Sequence, residues 1–224
     1  MKIIITGSSG GIGTAVAKRF LSLGYTVYGM DLKPAAITHQ NYIHFQIDIR
    51  EPAALPEIDD ADILFNNAGL QNCEDDIENN LTATIHLTEK YIQSCRLRAV
   101  LFNASASAVS GQEFPVYAAS KAGLVGYMKN VAIRLAPAGT TVNAISLGGV
   151  DTPLNACVME DAACWQKIMD VTPFKKWMST EEVADWVEFL TVKNRSMSGQ
   201  NLLIDNGEND LNATFVWKED SCES

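Results

Sequence analysis

Short apolar runs alternate with longer amphipathic segments along most of the chain, and this alternation limits the possible folds more than any other feature. The first run, residues 3–5, ends in a glycine-rich turn, and apolar residues then recur with a helical period from Ile12 to Leu23. Strands that alternate with helices imply right-handed crossovers and a parallel sheet covered on both faces. The pattern therefore predicts a doubly wound α/β fold in a single domain.

The same pattern predicts the bounds of the strands and helices. No linker or repeat interrupts it, so one domain is expected over residues 1–210, followed by a tail at 211–224. Between the third and fourth strands, Pro52 and Pro56 leave room for only a rudimentary helix. The predicted strands, about seven in number as in other doubly wound sheets, cover 3–5, 26–30, 42–48, 63–65, 99–102, 141–146 and 202–204, and the predicted helices cover 12–23, 75–95, 115–136 and 181–190.

Composition and charge narrow the class of partner. The formal net charge of −10, without a cluster of Lys and Arg, argues against a nucleic acid and against an anionic membrane surface. No apolar stretch is long enough to span a membrane, and the first apolar run is too short for a signal peptide. The five cysteines include no Cys-x-x-Cys pair and the three histidines lack metal-ligand spacing, so no disulfide framework and no metal site are expected. These features predict a soluble, cytoplasmic protein.

A glycine-rich segment, Thr6-Gly7-Ser8-Ser9-Gly10-Gly11-Ile12-Gly13, lies where the first strand meets the first helix. Glycines let the backbone turn tightly and approach a pyrophosphate, while the helix N-terminus supplies free N–H groups and positive potential. A glycine-rich turn alone is weak evidence, because many such segments are simply turns. Its position between a strand and a helix favours a Rossmann-like fold that binds a dinucleotide.

Asp31 directly follows the second predicted strand. An acid at this place accepts hydrogen bonds from the ribose hydroxyls of NAD and repels the 2′-phosphate of NADP. The alternative is an ordinary turn or helix-capping aspartate. Lys33 is close by and weakens the preference. NAD is therefore the favoured cofactor, and NADP stays open.

Tyr117 and Lys121 stand four residues apart, on one face of the helix predicted at 115–136. A phenol is a poor acid/base catalyst at neutral pH unless its pKa is lowered, and a neighbouring ammonium favours the phenolate. This spacing occurs readily by chance. Ser105, however, follows the fifth predicted strand, and parallel α/β sheets bind ligands at that edge. Ser105 can donate a hydrogen bond to a substrate carbonyl and stabilise the charge that develops as hydride arrives.

Five motifs follow one another along nearly the whole chain. They are Thr6-Gly7-x-x-x-Gly11-x-Gly13, Asn66-Asn67-Ala68-Gly69, Tyr117-x-x-x-Lys121, Val142-Asn143-Ala144-Ile145-Ser146, and Gly199-Gln200 with Asp205-Asn206-Gly207. In this order they resemble the short-chain dehydrogenase/reductase family of Rossmann-fold oxidoreductases. The resemblance implies an enzyme that interconverts an alcohol and a carbonyl compound with NAD(P). It also implies a homo-oligomer, either a tetramer or a dimer.

The resemblance implies a role for each matching residue. Tyr117 would be the general acid/base, Lys121 would lower its pKa and hold the nicotinamide ribose, and Ser105 would orient the substrate. Asn80 would anchor a water molecule in a proton relay, and Asp48 would contact the adenine. The residues expected at the cofactor are Gly7, Ser9, Gly11, Ile12, Gly13, Asp31, Asp48, Ile49, Asn66, Ala68, Gly69, Tyr117, Lys121, Val150 and Thr152.

Departures from the family pattern leave three questions open. The interval from Ser105 to Tyr117 is slightly short, so Ser107 is a rival for the catalytic serine and Ser110 a more distant one. Leu147-Gly148-Gly149 stands where the family usually has Pro-Gly, which would loosen that turn. The intervals 48–66 and 69–80 are also short, and this would leave one wall of the substrate crevice low.

Substrate choice should lie in residues 152–180, an apolar segment rich in Met and Trp. The segment would cover a hydrophobic substrate, or it would serve core packing or a subunit contact, and the sequence favours neither. Two other functions stay open beside the general alcohol–carbonyl oxidoreductase. One is a 3-oxoacyl-acyl-carrier-protein reductase that uses NADPH, and the other is a cofactor-sensing protein that kept the fold and lost catalysis.

Overall fold

Seven parallel strands form one sheet in the computed structural model of the chain, which describes residues 1–209 and 211. The strands are β1 (Lys2–Thr6), β2 (Thr26–Asp31), β3 (Tyr42–Gln46), β4 (Ile63–Asn66), β5 (Ala99–Asn103), β6 (Thr141–Leu147) and β7 (Asn201–Ile204). Across the sheet their order is β3-β2-β1-β4-β5-β6-β7. The order reverses between β1 and β4, and this reversal opens the crevice in which such sheets bind ligands. The predicted doubly wound parallel sheet is confirmed.

Helices cover both faces of this sheet. Ile4 packs into the core on one face, while Ile3 and Ile5 pack into the core on the other, because successive strand residues point to opposite faces. A strand buried on both sides reads as an uninterrupted apolar run. The helices are α1 (Gly11–Ser22), α2 (Ala83–Ser94), α3 (Ser107–Ser110), α4 (Pro115–Leu135), α5 (Ala156–Met159), α6 (Ala162–Val171) and α7 (Thr180–Glu188). Helices α1 and α7 contribute to one core, and α2 and α4 to the other.

Most predicted bounds lie within two residues of those in the structure, and two of the differences bear on the site. The third strand was expected to reach residue 48 but ends at Gln46, because Asp48 forms a turn in which its carboxylate accepts the backbone N–H of Arg50. The helix expected over 75–95 contains a π-helical turn, Glu78–Thr82, ahead of α2. The rudimentary helix between β3 and β4 is confirmed as the single turn Pro52–Ala54.

The sequence reasoning missed helices α3, α5 and α6. Helix α6 had a readable signal, since Asp161 caps it by accepting hydrogen bonds from the N–H groups of Ala163 and Cys164. Helix α3 is a single turn that ends at Gly111, whose φ of 71° lies in the left-handed region. A helix this short carries too few residues to show a period.

The domain bounds, 1–210 and 211–224, stay predictions, and apart from Leu211 the tail lies outside the described residues. Within residues 1–209 and 211, no helix has the length and apolar character needed to cross a membrane. The same residues contain no group of three or more His, Cys, Asp or Glu side chains able to hold a metal ion.

Candidate active site

A cavity of about 1110 Å³ lies at the carboxyl ends of the strands. The segments that follow β1, β2, β4, β5 and β6 all contribute to its wall. One end holds the glycine-rich turn and Asp31, and the other holds Ser105, Tyr117 and Lys121. The glycine-rich segment and the Tyr117-x-x-x-Lys121 motif thus line one elongated cavity.

The glycine-rich turn brings bare backbone to this cavity. Gly7 has a φ of 66°, a left-handed conformation that glycine adopts without strain. A side chain at Gly13 would collide with the carbonyl oxygen of Gly7, so the start of α1 packs directly on the turn. Gly10 is the N-cap of α1 and offers no side-chain cap. The first N–H groups of α1 are therefore left for a ligand, which suits a pyrophosphate.

Asp31 lies at the end of β2 and lines the cavity. Its Oδ2 accepts the backbone N–H of Ser9 at 2.9 Å, and its Oδ1 accepts that of Lys33 at 2.8 Å. The carboxylate thus has the local turn contacts expected of an ordinary turn aspartate. Each carboxylate oxygen has further acceptor capacity, which remains available to ribose hydroxyls.

Asp48 and Ile49 line the same end of the cavity, as expected. The Asp48 carboxylate is held by Arg50, whose Nη2 donates to Oδ2 at 2.6 Å. Hydrogen bonds from this guanidinium hold the pKa of Asp48 below its usual value. The carboxylate is therefore fixed and ionised at neutral pH.

The structure does not bring Asn66 to the cavity. Its side chain is buried beneath β4, where its Nδ2 donates to Thr88 Oγ1 at 3.1 Å. Asn67 lines the cavity instead, together with the expected Ala68 and Gly69. The Nδ2 of Asn67 donates to the carbonyl oxygen of Thr6 at 3.0 Å and so ties β4 to the glycine-rich turn. Successive residues at a strand end face opposite ways, and this alternation explains the exchange.

Asn80 lies behind the cavity wall and is fully buried. Its Nδ2 donates to the carbonyl oxygen of Leu70 at 2.9 Å and to Ser120 Oγ at 3.2 Å. Its Oδ1 accepts the backbone N–H of Leu70 at 2.8 Å. Both polar atoms of the side chain are paired, so a water anchored by Asn80 would use the second lone pair of Oδ1 or the main chain. The π-helical turn that contains Asn80 leaves backbone groups outside the regular helical pattern.

Tyr117 and Lys121 face the cavity from the first turns of α4. The Lys121 Nζ lies 5.7 Å from the centre of the Tyr117 ring and donates to the carbonyl oxygen of Asn103 at 3.0 Å. Burial lowers the pKa of Lys121 to about 8, against the attraction of Asp76. Burial also raises the pKa of Tyr117, and the charges of Glu113 and Asp76 raise it further.

The expected lowering of the Tyr117 pKa is therefore absent from this arrangement of side chains. Removing a phenolate from water disfavours it, and Lys121 does not outweigh that cost here. The opposing influence is Ser105, whose hydrogen bond with the phenol lowers its pKa.

Of the three serines, Ser105 is the one whose hydrogen bonding lowers the pKa of Tyr117. It follows β5 directly and is 6% exposed. Ser107 donates its hydroxyl proton to the carboxylate of Glu113. Ser110 also lines the cavity, but its hydroxyl donates to the carbonyl oxygen of Ala106 at 3.2 Å. All three hydroxyls donate within the protein, that of Ser105 to Ser107 Oγ at 3.1 Å, so Ser105 is favoured by its position after β5 and by its influence on the pKa of Tyr117.

The glycine pair after β6 is required by close packing. A side chain at Gly148 would lie 2.7 Å from Cβ of Asp205, and one at Gly149 would collide with the indole of Trp177. The expected Val150 and Thr152 follow directly and line the cavity. The turn is thus held by its neighbours, although the family's proline is missing.

The substrate end of the cavity has one apolar and one polar wall. The segment 152–180 supplies the apolar wall and also core residues such as Met169 and Met178, so its role in core packing occurs, while covering a hydrophobic substrate stays a prediction. The apolar wall includes Leu154, Val158, Ile168 and Trp177. The polar wall, which the sequence reasoning missed, includes Gln71, Asn72, Gln112, Glu113, Glu208 and Asn209.

Comparison with known proteins identifies the family to which the chain belongs. The family model described as short chain dehydrogenase matches residues 1–163. The chain therefore belongs to the short-chain dehydrogenase family and is an oxidoreductase.

Individual relatives are similar along most of their length. The 3-oxoacyl-acyl-carrier-protein reductase FabG of Buchnera aphidicola is 30% identical, over 91% of this chain and 95% of that protein. A 4-hydroxyisoleucine dehydrogenase solved in complex with NADH has a TM-score of 0.84 and 25% identity, covering 93% of this chain and 98% of its own. ElxO, solved with NADP bound, has a TM-score of 0.81 and 23% identity, covering 92% and 98%. The last likeness concerns the fold alone.

Proposed function

We propose that the chain interconverts a secondary alcohol and a carbonyl compound by NAD(P)-dependent hydride transfer, with Tyr117 as the general acid/base. One observation carries the proposal. Ser105, Tyr117 and Lys121 converge at one end of a cavity whose other end is a glycine cradle at a helix N-terminus. A dinucleotide that lies along this cavity would bring its nicotinamide to the catalytic end.

The residues of this chain fit such a cofactor. The cradle has no room for a side chain at Gly13, the start of α1 offers uncapped N–H groups, and Asp31 lies where a ribose would be held. When bound, the nicotinamide supplies or accepts the hydride. Val150 and Thr152 would hold its carboxamide.

Side chains of the protein transfer the proton. In the reducing direction, the Tyr117 hydroxyl donates its proton to the substrate oxygen as negative charge develops there. Ser105 follows β5 at the same end of the cavity and orients the reacting oxygen. Lys121 is buried at this end, where it holds the ribose and places positive charge near the phenol. In the oxidising direction the same phenol oxygen takes the proton from the alcohol.

NAD is the proposed cofactor, on the strength of Asp31. The carboxylate lines the cavity at the end of β2, where a 2′-phosphate would meet a like charge. The solved neighbours include one complex with NADH and one with NADP, so the fold accepts both. The homo-oligomer and the cytoplasmic location stay predictions.

A second candidate is a 3-oxoacyl thioester reductase. It is favoured by the likeness to the reductase of Buchnera aphidicola along most of both chains. A 3-oxoacyl thioester would place its ketone at Tyr117 and its chain along the apolar wall of the cavity. This candidate uses NADPH, so it also predicts the opposite cofactor preference.

The decisive experiment is a substrate panel with NADH and NADPH. It includes acetoacetyl-coenzyme A, cyclohexanone and, in the oxidising direction, cyclohexanol, 2-butanol and an aldohexose. The proposal is supported if the wild type turns over a substrate with NAD(H) and Tyr117→Phe lowers this turnover by about 10²- to 10⁴-fold. Cofactor binding should be unchanged in the variant. Full activity of Tyr117→Phe would exclude Tyr117 as the acid/base. Turnover of acetoacetyl-coenzyme A with NADPH alone would favour the second candidate.

A further inference from the structure

Two side chains on one face of the edge strand β3 reach segments that line the cavity. Tyr42 Oη lies 2.9 Å from Ser8 Oγ, beneath the glycine-rich turn, and 3.1 Å from Nδ1 of His44. His44 Nε2 lies 2.9 Å from the carbonyl oxygen of Lys33, in the segment after β2. We call this series, from Ser8 through Tyr42 and His44 to Lys33, the edge-strand link. None of the residues of β3 lines the cavity, so the strand supports its cofactor end from behind.

The glycine in the middle of β2 makes room for the edge-strand link. Gly29 pairs with Ile5 of β1 on one side and with His44 of β3 on the other. A side chain there would collide with Tyr42 Oη, and its Cβ would lie 2.6 Å from Ser8 Oγ. The φ of Gly29 is not among the positive values, so no turn requires a glycine at this place. Glycine inside a strand weakens it and often marks the close approach of another group. Here that group is the Tyr42 hydroxyl.

Ser8 is fully buried and is held from three sides. Its backbone N–H donates to the carbonyl oxygen of Met30 in β2 at 3.3 Å. Its own carbonyl oxygen accepts from Thr14 Oγ1 in α1 at 3.1 Å. Within residues 1–209 and 211, its hydroxyl has a single hydrogen-bond partner, Tyr42 of β3. Loss of that partner would leave a buried hydroxyl unpaired directly beneath the turn that leads into α1.

The carbonyl group of Lys33 sets the direction of the edge-strand link. A carbonyl oxygen only accepts, so His44 Nε2 carries the proton, and the neutral imidazole then accepts at Nδ1. Tyr42 gives its single proton to that nitrogen, and its oxygen accepts from Ser8. Burial raises the pKa of Tyr42, and the hydrogen bond with Ser8 acts in the opposite direction, as expected when Ser8 donates. Protonation of the imidazole would reverse both bonds of Tyr42 without breaking them.

The edge-strand link joins the two segments that a dinucleotide would span. The pyrophosphate would lie at the glycine-rich turn and the adenosine ribose at Asp31. At the cavity surface the segments are joined by Ser9, whose N–H donates to Asp31 Oδ2 at 2.9 Å and whose Oγ donates to the carbonyl oxygen of Pro34 at 2.8 Å. Beneath it they are joined by the edge-strand link. Because Ser9 reaches water and Ser8 is excluded from it, the lower connection is the one that solvent does not replace.

We propose that Tyr42 is a positioning residue for the dinucleotide, since its hydroxyl holds the pyrophosphate cradle through Ser8 and the ribose-binding segment through His44. The inference rests on the proposed binding of NAD(P) along this cavity. Tyr42 does not line the cavity, so it acts through the spacing of the two segments rather than by contact with the cofactor. The catalytic end of the cavity is not part of the edge-strand link. Loss of the hydroxyl should therefore weaken cofactor binding and leave the chemical step unchanged.

The first test is Tyr42→Phe, which removes the hydroxyl and keeps the ring. Dissociation constants are measured by titration calorimetry for NADH and for ADP, which has the adenosine ribose and two phosphates but no nicotinamide. Both constants should rise by about fivefold, the loss expected for one hydrogen bond in a buried network. With whichever substrate of the panel turns over fastest, the KM for the cofactor should rise by the same factor and kcat should stay unchanged.

The matched control is Tyr28→Phe. Tyr28 lies on the neighbouring strand β2 and packs against the core on the opposite face of the sheet. Its hydroxyl donates to Asp60 Oδ1 at 3.1 Å, away from the cavity. The control thus loses a tyrosine hydroxyl and its hydrogen bond from the same sheet. Its dissociation constants for NADH and ADP should equal those of the wild type.

A cycle with Ser8→Ala tests whether Tyr42 acts through Ser8. Ser8→Ala alone should weaken NADH binding by about as much as Tyr42→Phe, because each variant removes the same contact. The double variant should therefore bind NADH no more weakly than either single variant. Two residues that merely stabilise the fold independently would give losses that multiply.

The ring nitrogens of His44 give a spectroscopic test that needs no cofactor. The chain has three histidines, His39, His44 and His86, so the signals can be assigned by comparison with His44→Gln. At about pH 8.5, where an ordinary imidazole is neutral, nitrogen NMR should place the proton of His44 on Nε2. In Tyr42→Phe the Nδ1 signal of His44 should shift, because its hydrogen-bond donor is gone, whereas the signals of His39 and His86 should not.

The inference and the proposed function fail in different ways. If Tyr42→Phe binds NADH and ADP as tightly as the wild type, or if Tyr28→Phe weakens both equally, Tyr42 does not position the cofactor. Multiplying losses in the cycle, or a proton on Nδ1 of His44, would exclude the edge-strand link. If the wild type binds neither NADH, NADPH nor ADP, the proposed function fails at the cofactor, while the signals of His44 still report on the link.

Discussion

The backbone N–H of Ser9 donates a 2.9 Å hydrogen bond to Oδ2 of Asp31, and this contact joins the turn after β1 to the end of β2. The carboxylate that would select the cofactor is thus also part of the cradle that would hold its pyrophosphate. Charge and turn geometry are coupled at this residue, so they have to be separated by the choice of substitution.

Two variants of Asp31 separate the effect of its charge from the effect of its hydrogen bond to the turn. Asp31→Asn keeps an acceptor oxygen for the N–H of Ser9 and removes the charge, whereas Asp31→Ala removes both. Because a like charge no longer faces the 2′-phosphate, we expect the ratio of NADPH to NADH affinity to rise in both variants by about tenfold or more, or about 1.4 kcal/mol. The measurement is the dissociation constant of each reduced cofactor by titration calorimetry. An unchanged ratio in Asp31→Asn would mean that the charge does not set the preference.

A pair of glycine variants tests the cradle. Gly13→Ala would force the new methyl group against the carbonyl oxygen of Gly7, so α1 must move away from the turn. We expect NADH affinity to fall by about tenfold or more. Gly126 is exposed in α4 and a methyl group there meets nothing within 4 Å, which makes Gly126→Ala the matched control.

The control variant should also be more stable than the wild type. Gly126→Ala should raise the free energy of unfolding by about 0.5–1 kcal/mol, since alanine is the better helix former. Its NADH affinity should equal that of the wild type. Urea unfolding and calorimetry of both variants check the prediction, and equal NADH affinities in the two variants would contradict it.

The sequence predicted the parts of this molecule that local physics determines. The apolar run at 3–5 is a buried strand because both faces of the sheet are covered, and the glycine-rich segment is a turn because Gly13 must approach Gly7. The Tyr117 and Lys121 pair could be placed on one face of a helix from its spacing alone.

The rest depends on contacts between distant segments. Asn66 and Asn67 cannot be told apart without knowing where β4 ends, since a shift of one residue exchanges their faces. The link between Ser107 and Glu113 requires the left-handed φ of Glu113, which no preference of glutamate predicts. The raised pKa of Tyr117 follows from burial, a property of the packed site rather than of the motif.

The buried ammonium of Lys121 makes stability depend on pH. Burial lowers its pKa in the folded protein to about 8, from the usual 10.5. Below pH 8 both states carry the proton, and the folded state bears the whole cost of burying the charge. Between about pH 8 and 10.5 the folded protein releases the proton before the unfolded chain does, so stability rises with pH, by at most about 1.4 kcal/mol per unit.

Comparison with Lys121→Met isolates this contribution. The variant has no buried charge, so the free energy of unfolding of the wild type minus that of the variant should increase from pH 8 to pH 10 and stay level between pH 6 and pH 7. Urea unfolding at each pH measures it. Lys129→Met, which replaces an exposed lysine of the same helix, is the control and should give a level difference throughout. A level difference for Lys121→Met as well would show that the ammonium is hydrated in solution, and would remove the electrostatic reason for placing a positive charge beside Tyr117.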